Sequence, residues 1–411
     1  MRHGFVKAAA ATPDIRVADV EYNTEQICKA IDQACENGAK LIVFPELCVT
    51  GYTCGDLFTQ NALLKASYSG LKKIAAYTKG KDVLAFVGMP FTESGKLYNV
   101  AAAVNGGKVI GFTTKTFLPN YGEFYEMRQF TPGPDFVKWI AFEGEKVPFG
   151  PKILFQSDEM PEFLVGAEIC EDVWSPLPPS IEEALNGATI IVNCSASDET
   201  VGKGSYRTRL IAGQSARLIA GYVYANAGEG ESTTDLVFGG HNIIAEDGTI
   251  LRQSKRYKNE IIYGEIDLEK IVGERRKNTT FSPKTLKDHS PVIVPFHVET
   301  CDTVLTRTYS RHPFVPSDEA ARAHICEEIL TIQAMGLKKR LAHTHAKSAV
   351  VGISGGLDST LALLVTAKAF EMLERDKKEI IAVTMPCFGT TDRTYRNACE
   401  MTRQTGATLI E

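Results

Sequence analysis

Short apolar runs alternate with amphipathic stretches along the first two-thirds of the chain. Apolar or alternating runs predict strands, and apolar residues spaced three and four apart predict amphipathic helices. The pattern predicts helices over 23–37, 62–78 and 206–219, and strands over 5–11, 41–44, 83–88, 97–104, 108–114, 164–169, 188–193, 221–226, 236–245, 249–253 and 261–266. Strands and helices mixed in this way indicate an α/β fold.

The pattern changes after Val272. Residues 276–318 are polar, contain several prolines and show little periodicity, so we predict a linker between two domains. The first domain then covers residues 1–275 and the second covers residues 319–411.

The second domain opens with a predicted amphipathic helix over 319–341. Its apolar face is predicted to carry Ile325, Ile329, Ile332 and Met335, and Cys326 falls near that face. The elements that follow are a strand over 348–353, a helix over 361–374, a strand over 379–384 and a helix over 392–404. This order predicts the start of a doubly wound, Rossmann-like parallel sheet.

Composition excludes several classes of protein. Charged residues make up 23% and hydrophobic residues 44%, with a net charge of −5, so neither nucleic-acid nor membrane binding is expected. No apolar run approaches the ~18 residues that a membrane span needs. The ten cysteines include no CxxC pair. With no signal segment evident, we expect reduced thiols and a cytoplasmic protein.

Three reactive side chains follow the ends of predicted strands: Glu46, Lys115 and Cys170. Each has a plain structural explanation when taken alone. Glu46 fits a solvated loop acid, Lys115 a lysine that extends to water, and Cys170 a small core residue. However, strand ends are also where rigid sheets present functional groups.

Together the three side chains could hydrolyse an amide. A thiol near pH 7 is only roughly a few per cent thiolate. A neighbouring carboxylate can take its proton, and a lysine can stabilise both the thiolate and the oxyanion of a tetrahedral intermediate. Attack on an amide carbonyl would then give a thioester and release ammonia.

The stretches around these residues resemble a known family. FPEL around Glu46, KTFLP from Lys115 and EICED around Cys170 are similar, in type and order, to the three signature motifs of the nitrilase superfamily. The resemblance covers residues 1–275 and implies an αββα sandwich. It also implies that Glu46 is the general base, Lys115 the oxyanion and thiolate stabiliser, and Cys170 the nucleophile.

The resemblance further implies how the amino-acid end of an amide substrate is held. Tyr121, Ser197 and Lys203 are the implied contacts, with Glu171 nearby. A carboxylate and an ammonium group require a cation and an anion, so Lys203 and Glu171 suit these roles. A purely structural role for Ser197 stays open.

A glycine-rich turn separates the strand and helix predicted at 348–353 and 361–374. Backbone N–H groups in such a turn, with the positive end of the helix dipole, form a cradle for phosphate. The predicted ATP-binding residues are Gly352, Ile353, Ser354, Gly355, Gly356, Leu357, Asp358 and Ser359. Asp358 is also the predicted Mg²⁺ ligand. A Walker lysine is absent, so a P-loop NTPase is not predicted.

The sequence SGGLDST in this turn resembles the pyrophosphate loop of the ATP pyrophosphatase superfamily. A nitrilase-type amidase followed by such a loop is similar to the glutamine-dependent NAD synthetase family. This resemblance implies glutamine, deamido-NAD and ATP with Mg²⁺ as substrates, no prosthetic group, and a homo-oligomer. Ammonia from glutamine would displace AMP from the adenylated carboxylate of deamido-NAD.

The chain ends at Glu411, within what we predict as the third strand of the second sheet. We therefore expect a fragment or truncated product that retains at most glutamine hydrolysis. Two alternatives remain at this point. One is a nitrilase-type amidase with a vestigial nucleotide-binding tail, and the other is a non-catalytic protein that uses the sandwich to dimerise.

Overall fold

The computed structural model describes residues 1–282 and 291–411, which divide into two units, Met1–Arg307 and Thr308–Glu411. The predicted linker lies across this division, and its residues 283–290 fall outside the described part. Among the described residues, no helix combines the length and apolar character that a bilayer crossing requires.

A mixed sheet of eight strands forms one half of the first unit. Its strands are β1 (Phe5–Ala11), β2 (Leu41–Val43), β3 (Leu84–Glu93), β4 (Lys96–Asn105), β5 (Lys108–Thr114), β6 (Lys138–Phe142), β7 (Glu145–Gly150) and β14 (Ile261–Asp267). Their spatial order is β14-β1-β2-β3-β4-β5-β7-β6. Strands β1, β2 and β3 run parallel, and the hairpin of β4 and β5 continues the sheet.

A second mixed sheet has seven strands in the order β13-β12-β11-β10-β9-β8-β15. They are β8 (Ile153–Ser157), β9 (Leu164–Ile169), β10 (Ile190–Ser195), β11 (Gly221–Asn226), β12 (Ile243–Glu246), β13 (Thr249–Gln253) and β15 (Val292–Phe296). Strands β9, β10 and β11 are parallel, so their carboxyl ends meet at one edge.

Apolar side chains from both sheets meet in the middle of the first unit. The ring of Phe86 from β3 packs edge-on against Phe155 from β8, with ring centroids 5.3 Å apart. The outer faces are covered by α1 (Val20–Glu36) and α2 (Asn61–Tyr77) on one side, and by α3 (Pro179–Leu185) and α4 (Lys203–Leu218) on the other. These layers confirm the predicted αββα sandwich. A further helix, α5 (Leu268–Lys277), follows β14.

The first unit differs from the prediction in several places. Strands β6, β7 and β8 and helix α3 were not predicted, and α4 begins three residues earlier than predicted, at Lys203. The strand predicted over 236–245 is formed only by Ile243–Glu246, because the chain turns at Gly240, whose φ is +59°. A Cβ there would lie 2.5 Å from the Lys258 carbonyl oxygen. Within the predicted linker, β15 pairs in parallel with β8, so this stretch belongs to the second sheet.

The second unit is built on a parallel sheet in the order β16-β17-β18. Its elements are α6 (Glu319–Thr344), β16 (Ala349–Gly352), α7 (Leu357–Met372), β17 (Ile380–Val383), α8 (Asp392–Thr405) and β18 (Thr408–Ile410). Apolar residues of α6, α7 and the sheet form its core, including Leu341, Leu363, Phe370 and Ala382. This order confirms the predicted start of a doubly wound sheet.

Helix α6 buries a different face from the one predicted. Ala334 and Leu341 are buried, whereas Ile332 is 66% exposed and Cys326 is exposed. Apolar residues occur on both faces of this helix, so periodicity alone does not identify the side that packs. Helix α7 also begins earlier than predicted, at Leu357, which places Asp358 in its first turn.

Candidate active site

A buried ion pair joins two of the predicted catalytic residues. Lys115, which directly follows β5, places Nζ 2.6 Å from Oε1 of Glu46, which follows β2. Neither side chain is exposed to solvent. The Asn99 amide donates to the same Oε1 at 2.6 Å, and the Ala196 backbone N–H donates to Oε2 at 3.0 Å. Glu46 is therefore held on both carboxylate oxygens.

Glu126 is a second acid on Lys115, and the sequence analysis did not identify it. Lys115 Nζ lies 2.7 and 2.8 Å from the two carboxylate oxygens of Glu126, and the Tyr52 hydroxyl donates to Oε1 at 2.8 Å. Burial alone would lower the pKa of Lys115, but Glu126 and Glu46 raise it well above its usual value. Lys115 is therefore a fixed cation in this site.

Cys170 begins a short 3-10 helix directly after β9. Its φ of +45° is unusual for a residue other than glycine and marks a sharp turn at the strand end. The backbone N–H of Cys170 donates to Asn193 Oδ1 at 3.0 Å, which ties this turn to the adjacent strand β10. The nucleophile candidate therefore occupies a strained and well-anchored position.

The charges of the buried pair act on the Cys170 thiol. Burial and the charge of Glu46 raise the pKa of this thiol well above its usual value, while Lys115 acts in the opposite direction. The thiol is therefore protonated before substrate binds, and its attack on a carbonyl requires a base. Glu46 is the carboxylate whose charge acts most strongly on it.

A family model described as carbon-nitrogen hydrolase matches residues 7–276, which contain all of these side chains. The chain belongs to this family. A second model, described as NAD synthase, matches residues 329–410. The first match contains the motifs around Glu46, Lys115 and Cys170, and the second contains the SGGLDST turn.

Curated relatives of this carbon-nitrogen hydrolase include the glutamine-dependent NAD(+) synthetases of Mycobacterium tuberculosis and Mycobacterium leprae. Both are 37% identical to it, over 100% and 99% of its length. The synthetase of Aquifex aeolicus is 29% identical over 95% of the chain. The chain spans about 62% of the length of these relatives.

Solved structures show the same fold. A glutamine-dependent NAD(+) synthetase from Cytophaga hutchinsonii matches 99% of the chain with a TM-score of 0.58 and 24% identity, over 64% of its own length. A nitrilase-superfamily amidase from Nesterenkonia matches 67% of the chain with a TM-score of 0.52 and 21% identity, over 96% of its own length. The second match supports the nitrilase-type fold of the hydrolase part.

The four predicted substrate-binding residues lie around one cleft of the hydrolase, of about 570 Å³, together with Cys170. The Tyr121 hydroxyl donates a hydrogen bond to Glu171 Oε1 at 2.7 Å. Lys203 forms an ion pair with Asp198 and lies 5.4 Å from the centre of the Phe124 ring. The cleft therefore carries charged and polar side chains together with the thiol.

Ser197 is buried at the edge of this cleft. Its backbone N–H donates to Asn226 Oδ1 at 2.8 Å, and its hydroxyl oxygen accepts from Arg207 at 3.1 Å. The structure buries Arg207 of α4 completely. Helical spacing places Arg207 among polar residues and cannot show that the neighbouring loop supplies buried acceptors.

The predicted ATP-binding residues run from the end of β16, through the glycine-rich turn, into the start of α7 in the second unit. Ser354 Oγ accepts from the Gly356 N–H at 3.3 Å and lies 3.1 Å from Ser359 Oγ. Gly355 has a φ of +77°, and a Cβ there would meet the Thr394 carbonyl oxygen at 2.0 Å. Only glycine fits this position.

Asp358 is exposed in the first turn of α7, close to this turn. An exposed carboxylate beside a phosphate cradle suits a magnesium ion that arrives with a nucleotide. Within the described residues, no three His, Cys, Asp or Glu side chains are placed to hold a metal ion by themselves.

Proposed function

We propose that this chain carries the glutamine-hydrolysing and ATP-binding activities of a glutamine-dependent NAD(+) synthetase. Residues 1–275 are assigned to the glutaminase domain and residues 319–411 to the synthetase domain, with 276–318 as the connection. The observation that carries the glutaminase assignment is the buried contact of Lys115 with both Glu46 and Glu126, beside the Cys170 thiol.

The proposed reaction begins when the amide carbon of glutamine lies next to the Cys170 sulfur. Glu46 takes the thiol proton as the carbon–sulfur bond forms, and Lys115 stabilises the negative charge on the carbonyl oxygen. The proton then passes to the leaving nitrogen, the carbon–nitrogen bond breaks, and ammonia leaves behind a glutamyl thioester. Water, activated by Glu46, hydrolyses the thioester to glutamate and the free thiol.

The cleft supports glutamine as the substrate. Lys203 and Arg209 provide positive charge for the α-carboxylate, and Glu171 provides negative charge for the α-ammonium group. Tyr121 and Ser197 are the other proposed contacts. Asp198 already pairs with Lys203, so the substrate carboxylate would share this cation.

In the synthetase reaction, ATP adenylates the carboxylate of deamido-NAD with release of pyrophosphate. Ammonia then displaces AMP to give NAD(+). We assign ATP phosphate binding to residues 352–359, with Mg²⁺ held by Asp358. The match of residues 329–410 to the NAD synthase model supports this assignment. The similarity to the synthetases is the sole basis for proposing deamido-NAD as a substrate and a homo-oligomeric protein.

A hydrolysis assay separates this proposal from a general amidase. The chain should convert glutamine to glutamate and ammonia much faster than it hydrolyses butyramide, which lacks the amino-acid end. Cys170→Ala should abolish this activity, whereas Cys326→Ala, at an exposed site in the second unit, should retain it. Equal rates with both amides would favour a nitrilase-type amidase with a nucleotide-binding tail.

A further inference from the structure

Arg207 is a buried cation from α4 that the catalytic steps above do not use. Its Nη2 donates to the Asp198 carbonyl oxygen at 2.8 Å and to Ser197 Oγ at 3.1 Å. Its Nη1 forms an ion pair with Glu199 Oε1 at 2.7 Å. One guanidinium group thus binds three consecutive residues, Ser197, Asp198 and Glu199.

His241 supports the guanidinium group from another element. Its Nδ1 lies 2.9 Å from Arg207 Nη1. Because a guanidinium group can only donate, Nδ1 accepts this hydrogen bond, and the other ring nitrogen, Nε2, lies 2.6 Å from the Gln253 amide nitrogen. Burial, together with the charges of Arg207 and Arg256, lowers the pKa of His241 to about 4. The ring is therefore a neutral acceptor at neutral pH.

The position of these acceptors distinguishes Arg207 from an ordinary buried ion pair. Ser197 borders the cleft that contains Cys170, and Asp198 holds the ammonium group of Lys203, which also borders it. Two of the proposed contacts for the amino-acid end of glutamine therefore rest on one guanidinium group. A buried arginine with a planar fork of donors fixes its acceptors more rigidly than a lysine would.

We propose that Arg207 is a positioning residue for substrate selection. It holds Ser197 and the Asp198–Lys203 pair where they meet the amino-acid end of the amide, and it thereby favours amino-acid amides over simple amides. This inference rests on the proposed glutaminase function. It predicts an effect on glutamine affinity and no effect on the reactivity of the thiol.

The test measures glutamine binding by calorimetry in the full chain carrying Cys170→Ala, so that turnover does not interfere. Adding Arg207→Lys should weaken binding by about tenfold or more, which corresponds to about 1.4 kcal/mol. Adding Arg217→Lys, at an exposed position on the same helix, should leave the affinity unchanged. Circular dichroism and thermal midpoints establish that each variant is folded.

A second variant covers the case in which Arg207→Lys does not fold. Glu199→Gln keeps a hydrogen-bond acceptor for Arg207 but removes its counter-ion, and it should weaken glutamine binding by roughly threefold, or about 0.7 kcal/mol. A further measurement uses chains that retain Cys170 and iodoacetamide, a reagent without an amino-acid end. The pH profile of Cys170 alkylation should be the same with and without Arg207→Lys.

The outcomes separate the two proposals. Unchanged glutamine affinity in both folded variants would overturn the role of Arg207 and leave the glutaminase function intact. A shifted alkylation profile with unchanged affinity would show that Arg207 acts on the thiol, and it would also overturn the inference. If the Cys170→Ala chain binds no glutamine at all, the proposed function fails, and the role of Arg207 fails with it.

Discussion

The Asp172 carboxylate accepts a hydrogen bond from the Phe117 backbone N–H at 2.8 Å. The same oxygen accepts from Thr116 N–H at 3.1 Å, and the other oxygen accepts from Ile169 N–H at 2.9 Å. Asp172 lies just after β9 of the second sheet, and Phe117 lies just after β5 of the first sheet. This one side chain therefore fixes the spacing between the segments that carry Cys170 and Lys115.

Asp172→Asn should impair catalysis while leaving the fold in place. An amide offers one acceptor oxygen, so its NH₂ group would face a backbone donor and push the two segments apart. A displacement of about 1 Å at reacting groups can cost about 10²-fold in rate, and we expect a loss of that order in kcat for glutamine. Asp135→Asn, at an exposed position, is the matched control. A kcat within twofold of wild type would contradict this role.

Gly88→Ala should displace Glu46. Gly88 lies in β3, and a Cβ there would approach the Pro45 carbonyl oxygen to 2.4 Å and the Leu47 nitrogen to 2.5 Å. Since these atoms flank Glu46 in the chain, the segment that carries Glu46 must shift, and its contact with Lys115 is disturbed. We expect kcat to fall by about 10²-fold. Gly273→Ala in α5, where a Cβ meets no atom within 4 Å, should retain full activity.

His241 should make the protein less stable in mild acid. Its pKa is about 4 in the folded protein, below the ordinary value of 6.5, so the unfolded chain binds more protons between these two values. Stability should therefore decrease as pH falls from 6.5 towards 4, by about 2 kcal/mol at pH 5. Urea unfolding at pH 7 and pH 5 measures this difference.

His241→Asn keeps a side-chain acceptor but does not titrate, so its loss of stability between pH 7 and pH 5 should be smaller by that amount. His297→Asn is the comparison, because Asp158 raises the pKa of His297, and its removal should not reduce the acid sensitivity. Equal losses in wild type and His241→Asn would show that folding does not lower the pKa of His241.

Gly355→Ala should destabilise the second unit. The φ of +77° costs a residue with a Cβ about 1–3 kcal/mol, and the approach to Thr394 adds to this. We expect a lower thermal midpoint and loss of Mg-ATP binding. Gly356→Ala, whose Cβ would come no closer than 3.4 Å to Ser354 Oγ, should match the thermal midpoint of wild type. Equal midpoints for both variants would contradict the proposed geometry of the turn.

The sequence predicted most strands of the first unit and the three motif residues because each signal was local, but it did not predict β6, β7 or β8. An apolar run ends, and a reactive side chain follows within one or two residues, as at Glu46, Lys115 and Cys170. The roles assigned to these residues remain predictions that the variants above test. The nitrilase-type fold was implied by the resemblance of these three motifs, in type and order, to those of the nitrilase superfamily.

The remaining parts of the site depend on contacts between distant segments. Glu126 lies in an aromatic, aperiodic loop, where nothing local indicates that its carboxylate binds Lys115. Arg207 follows a helical pattern that suggests a solvated face, yet the loop at Ser197 supplies acceptors that bury it. Likewise, β15 was missed because its apolar residues are interrupted by Pro295 and pair with β8, far away in sequence.

The most direct test of the account is the mass of the peptide that carries Cys170, measured after the chain is acid-quenched during turnover of glutamine. We predict a covalent adduct of glutamine minus ammonia on Cys170, which is absent from Cys170→Ala and disappears once glutamine is exhausted. Steady hydrolysis of glutamine with no adduct on Cys170, or with activity retained by Cys170→Ala, would contradict a thioester formed at the Glu46, Lys115 and Cys170 site.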